Sequence, residues 1–159
     1  MVSEAAQVFQ ESPAVTVETP KSRADLFAIR FRGNANSLAM AYGGPMYLVG
    51  SMLTSLEPGD VDIRIQLDRE DMEMWFGKDW DSSGLEWSPA KWRLEREQLK
   101  QSRRLTRRWR GYPARRFDVQ FQCALFSDDT GLPIMREDKP SLRLDTVPLD
   151  YFRAGRGDP

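Results

Sequence analysis

The chain has 159 residues, a formal net charge of −1, no histidine and a single cysteine. That length can bury about two-thirds of its unfolded surface, but the missing residues rule out a Ser-His-Asp triad, a Cys-His dyad, a histidine or cysteine zinc site and an internal disulfide. Chemistry must rest on carboxylates, hydroxyls, arginines and backbone groups, which suit an oxygen-seeking ion such as Mg²⁺.

Residues 1–20 are polar and contain Pro13 and Pro20, so they read as an extended or disordered arm, with VTVE as a candidate edge strand. The arm lacks the basic start and apolar centre of a signal peptide. No run of eighteen apolar residues follows, so the expectation is a cytoplasmic protein with no membrane span. Residues 21–42 read as a helix whose face is Leu26, Ile29, Leu38 and Ala41, stopped by Tyr42-Gly43-Gly44-Pro45. A short buried strand is expected at 46–50. At 60–67, DVDIRIQL alternates: Val61, Ile63, Ile65 and Leu67 face a core, and Asp60, Asp62, Arg64 and Gln66 face away.

A short helix is expected at 69–76, followed by a loop with Gly77 and Ser82-Ser83-Gly84. Ser88-Pro89 starts a helix that runs to Arg110, where Gly111-Tyr112-Pro113 stops it. RRFDVQFQCALF, 115–126, reads as a second alternating strand. Phe117, Val119, Phe121, Cys123 and Leu125 form its apolar face, which makes Cys123 a core thiol. A further strand is expected around LRLDTV, then a polar tail at 151–159. No internal repeat or boundary divides residues 21–150. The expected fold is α+β, a small mixed sheet with helices mainly on one face.

Asp60 and Asp62 stand two apart on one strand, so their side chains share a face. Two close carboxylates, partly buried, repel each other. A divalent cation resolves that conflict. Asp118 begins the polar face of the later strand, and if the strands are neighbours three carboxylates converge. Such a trio is able to hold two ions about 4 Å apart for in-line phosphoryl displacement. Gly50-Ser51 closes the preceding strand, where a bare backbone and a hydroxyl suit a phosphate.

The ordered trio LVGS at 48–51, GDVDIRI at 59–65 and RRFDVQF at 115–121 resembles the DNA polymerase beta-like nucleotidyltransferase superfamily. The resemblance spans roughly residues 22–125. It implies a nucleotidyltransferase-like fold and a transfer from a nucleoside triphosphate to an acceptor hydroxyl, with Mg²⁺ or Mn²⁺. It implies that Gly50 and Ser51 hold phosphates, that Asp60, Asp62 and Asp118 are catalytic metal ligands, and that Asp118 helps activate the acceptor. The chain departs from the family's pattern after the Gly-Ser pair, where Met52-Leu53-Thr54 has no basic residue. Arg64 shares the face of the aspartates and either contacts a phosphate or pairs with Asp62.

Lys91 to Arg116 carries eleven basic and two acidic residues. Arg93, Arg96, Lys100, Arg103, Arg107 and Arg110 fall three or four apart, on one helix face. Arg96, Lys100, Arg103 and Arg107 are thus candidates for binding RNA or another polyanionic acceptor; the alternative is a solvated face paired with acidic loops. Met72, Met74, Trp75, Phe76, Trp80, Trp87 and Trp92 either fill the core or offer a stacking surface. Two other functions fit the residues: a catalytically idle binding or regulatory protein with a partner protein, as in a toxin–antitoxin pair, and a plain nucleic-acid binder.

Overall fold

The computed structural model describes residues 18–57, 59–81, 87–111 and 116–154. The candidate edge strand before Glu18, the Ser82-Ser83-Gly84 loop, Arg115 and the last five residues lie outside them.

Helix α1 (Pro20–Tyr42) begins at a capping box in which Thr19 and Ser22 exchange hydrogen bonds. Its buried stripe is Ala24, Phe27, Phe31, Ala35, Leu38, Ala39 and Tyr42, the three-to-four spacing of a core-facing helix. Of the expected face Leu38 is buried, and the other three positions are corrected. Leu26, Ala41 and Ile29, the last 61% exposed, point outward, because burying the two phenylalanine rings of the neighbouring stripe removes more apolar area. Gly33 does not break the helix; it sits on the exposed side.

Strand β1 (Met46–Val49) leads into one turn of helix, α2 (Ser51–Thr54). The switch from α1 into β1 needs a residue without a side chain at Gly44, since a Cβ there would lie 2.0 Å from the carbonyl oxygen of Gln66. Strand β2 (Val61–Leu67), helix α3 (Arg69–Phe76), a 3₁₀ turn (Lys78–Asp81) and helix α4 (Pro89–Arg108) follow. Asp68 caps α3 and Ser88 caps α4. Strands β3 (Phe117–Cys123) and β4 (Ser141–Arg143) and helix α5 (Leu149–Ala154) complete the order. The C-terminal region is therefore partly helical where a tail was expected, and Phe152 is buried in the core.

The fold is α+β. The open four-stranded sheet has the order β3-β2-β1-β4. β1 runs antiparallel to β2 and to β4, and β2 runs parallel to β3. A parallel neighbour requires a long crossover, and α3 with α4 supplies it. Val61, Ile63, Ile65 and Leu67 of β2 are fully buried with Phe117, Val119 and Phe121 of β3 and the inner faces of the helices. Each of these aliphatic side chains contributes about 1.5–3 kcal/mol through burial. The rings of Phe27, Phe31, Phe117 and Trp109 form one aromatic cluster, with centroids 5.0–6.2 Å apart.

The alternation of β3 stops earlier than its sequence pattern. Cys123 is exposed and not a core thiol, and Leu125, 78% exposed, lies beyond the strand. The outer edge of β3 is closed in an unusual way. Gln98, Ser102 and Thr106, one helical turn apart on α4, accept the N–H groups of Phe121, Val119 and Phe117 at 2.9, 2.8 and 2.9 Å. A row of helical side chains thus takes the place of a fifth strand. Among the described residues no helix is long and apolar enough to cross a membrane.

Candidate functional site

The parallel register sets Asp62 of β2 directly opposite Asp118 of β3. Both project from the polar face, which the helices leave open. Asp60 lies just ahead of β2, and its Oδ2 accepts a hydrogen bond from Nη2 of Arg116 at 3.1 Å. Arg116, one residue before β3, is therefore engaged by Asp60 and not by Asp118. Asp118 instead accepts from the Gln120 amide at 3.3 Å. Burial raises the Asp62 carboxyl above its ordinary value; Arg64 opposes the shift, and the Asp118 and Asp60 carboxylates add to it. Arg64 does so without a direct ion pair, its Nη1 donating to the Ile63 carbonyl at 3.1 Å.

Gly50 has φ 78° and ψ −154°, a region essentially closed to other residues. A Cβ at this position would sit 2.3 Å from Oδ2 of Asp62. The glycine thus lets the Asp62 carboxylate approach the backbone where β1 ends. Ser51 Oγ accepts the N–H of Gly59 at 3.0 Å and ties the α2 turn to the entry of β2. Arg23, which the sequence reading passed over, secures the same turn from below. Its buried guanidinium donates to the carbonyls of Met52 at 2.8 Å and Leu56 at 3.0 Å, and to that of Ser55. Nothing local in the sequence marks it, since its partners lie about thirty residues away.

Mg²⁺ is commonly held by one or two carboxylates together with substrate phosphates, and the facing pair Asp62 and Asp118 fits that requirement. Burial is the main cause that raises Asp62, and the smaller contribution from the neighbouring carboxylates is the kind a cation relieves. Among the described residues, however, no group of three or more Cys, Asp or Glu side chains is arranged to hold an ion. Asp60 is the odd member, engaged by Arg116.

The carboxylate pair stands between two cavities. Asp62 lines one of about 770 Å³, together with Gly50, Ser51 and Arg64. Its far wall comes from the segment after β3, which brings Leu125, Ile134, Arg136 and Lys139. The two cations answer the missing basic residue after Gly50-Ser51: positive charge reaches this cavity from residues more than eighty positions downstream. Arg136 is also paired with Asp138 at 2.6 Å on the surface, a contact of small energetic weight.

Asp118 lines the second cavity, about 790 Å³, between α4 and β3, with Arg103, Arg107 and Arg116. Two of the four expected acceptor-binding residues are therefore brought beside an aspartate. Arg96 lies farther along α4, its guanidinium 5.0 Å from the centre of the Trp92 ring, and Lys100 is exposed outside the cavity lining. The tryptophan-rich stretch divides. Met72 and Phe76 are core, whereas Met74, Trp75, Trp87 and Trp92 are exposed. Neither a family model, nor a curated protein, nor a solved structure matches the chain.

Proposed function

We propose that this chain is a Mg²⁺-dependent nucleotidyltransferase of the cytoplasm, moving a nucleotide from a nucleoside triphosphate to an acceptor hydroxyl on RNA, a protein or a small molecule. The observation that carries the reading is the Asp62–Asp118 pair, in register on neighbouring strands with a cavity on each side. Mg²⁺ or Mn²⁺, held by Asp62 and Asp118, would neutralise triphosphate charge and stabilise the departing pyrophosphate. Arg64, Arg136 and Lys139 supply further positive charge to the cavity of Gly50 and Ser51. The Ser51 oxygen is occupied by the Gly59 N–H, so its own hydroxyl hydrogen remains for a phosphate oxygen. The acceptor oxygen forms its bond to the α-phosphorus, the bond from that phosphorus to the bridging oxygen breaks, and pyrophosphate leaves. The acceptor proton passes to the Asp118 carboxylate.

The test uses each of the four α-labelled nucleoside triphosphates with Mg²⁺ or Mn²⁺, offered with total RNA and with cell lysate. Label on any acceptor, lost in Asp62→Asn and Asp118→Asn, supports transfer. A second reading, a catalytically idle nucleotide-binding or regulatory protein with a partner protein, is favoured by the engagement of Asp60 with Arg116 and the lack of a three-carboxylate group. It expects nucleotide binding with no labelled product.

A further inference from the structure

The cavity beside Asp118 has its own chemistry. Its floor is the outer edge of β3, and that edge is already closed by Ser102 and Thr106. Those contacts fix the rotation of α4 about its axis. The neighbouring stripe, Trp92, Arg96, Leu99, Arg103 and Arg107, is consequently turned outward along the rim, at spacings of four, three, four and four. All five side chains are exposed, Trp92 by 46% and Leu99 by 49%. Among the described residues Arg96, Arg103 and Arg107 form no ion pair. Positive charge is thus gathered along this rim on a chain of net charge −1, with the Glu95 and Asp118 carboxylates lining the same cavity.

We propose that this groove binds a single-stranded nucleic acid, its phosphates on Arg103 and Arg107, its bases against Leu99 and the Trp92–Arg96 stack, and its 3′-hydroxyl end at Asp118. Charge complementarity selects a polyanion. The alternation of cations with an aromatic and an aliphatic surface selects unpaired bases over an acidic polypeptide, since flat π-faces stack where carboxylates gain nothing. A duplex keeps those faces hidden. The assignment of the 3′ end rests on the transfer reading above, because it names the acceptor of that reaction; binding in the groove does not.

The experiment is fluorescence anisotropy with a 5′-fluorescein 12-nucleotide RNA of mixed sequence, titrated over a KCl series. Arg103→Glu/Arg107→Glu should weaken binding at least about tenfold at low salt and flatten the log–log salt slope by about 1.4, or 0.7 per lost phosphate contact. Trp92→Ala should weaken it about fivefold. Lys21→Glu/Arg32→Glu, the same charge change at exposed positions of α1, should leave the affinity within twofold. Equal losses in the α1 and α4 variants overturn the proposal, as does displacement of the RNA by polyglutamate at equal charge, or equally tight binding of a duplex. Incubation with α-labelled triphosphates then separates the two ideas. Label on the free 3′ end and none on a 3′-blocked oligonucleotide supports both. Groove-dependent binding with no label supports the groove and overturns transfer. Label on another acceptor with no RNA binding overturns the groove and leaves transfer standing.

Discussion

Strand β2 carries two different environments one residue apart. Val61, Ile63, Ile65 and Leu67 point into the helices and are fully buried. Asp62 and Arg64 point the other way, half-covered, and Gln66 is held there by the Gln122 side chain at 2.8 Å. The apolar face is satisfied by packing alone. On the polar face the Asp62 and Asp118 carboxylates sit opposite each other, and burial makes that repulsion costlier. The difference is between a face that packing satisfies and a face where like charges stay close, eased within the chain by Arg64.

The comparison breaks most visibly on the apolar side. Ile63→Ala should cost about 2–5 kcal/mol, the loss of transfer free energy plus a cavity, measured by urea denaturation. Gly50→Ala comes next. The backbone conformation is closed to alanine and the new Cβ would meet the Asp62 carboxylate, so a loss of about 1–3 kcal/mol is expected. It should be accompanied by a fall in nucleotide binding, read by titration with a fluorescent triphosphate. If Gly50→Ala loses stability while binding is unchanged, the glycine serves only the turn. A smaller effect tests the edge. Ser102→Ala leaves the Val119 N–H without its acceptor and should cost about 1 kcal/mol. Replacing Gln98, Ser102 and Thr106 together by alanine should expose a bare strand edge and produce association, visible in size-exclusion chromatography.

The strands of the site were legible because a period of two is a strong signal over seven residues. The expected strand at 60–67 and helix at 69–76 match β2 and α3 to within one residue. The facing of Asp62 and Asp118 follows once the strands are neighbours, but neither that adjacency nor the parallel direction is encoded in the alternation. What the sequence hid was non-local. Helix α1 has two apolar stripes, Leu26/Ile29 and Phe27/Phe31, and which one packs is settled in the fold by the apolar area each buries. Arg136 and Lys139 reach the Gly50-Ser51 cavity by the path of a loop, which no spacing encodes. The pairing of Asp60 with Arg116 depends on where β3 begins, one residue after that arginine. Gln98, Ser102 and Thr106 have helical spacing, yet their role needs the edge strand beside them.

The finest test separates a carboxylate under tension from one that braces the fold. Asp62 is raised above its ordinary value of 3.8, with burial as the main cause. In the pH interval between the unfolded and folded values, the native chain holds a proton that the unfolded chain has released. Stability therefore falls as pH rises through that interval, and the full cost is present above it. Below the unfolded value both states are protonated and the cost is gone. Asp62→Asn should accordingly be more stable than the parent at pH 7, with the advantage shrinking toward zero as the pH drops below about 3.8. Thermal melts across pH 3–8 read this directly. Arg64→Gln should act in the opposite direction, since Arg64 opposes the shift. A parent that is the more stable of the two at pH 7 would mean the aspartate has a native partner worth more than its repulsion. The polar face of β2 would then hold the fold as the apolar face does, and the case for an ion between Asp62 and Asp118 would lose its electrostatic basis.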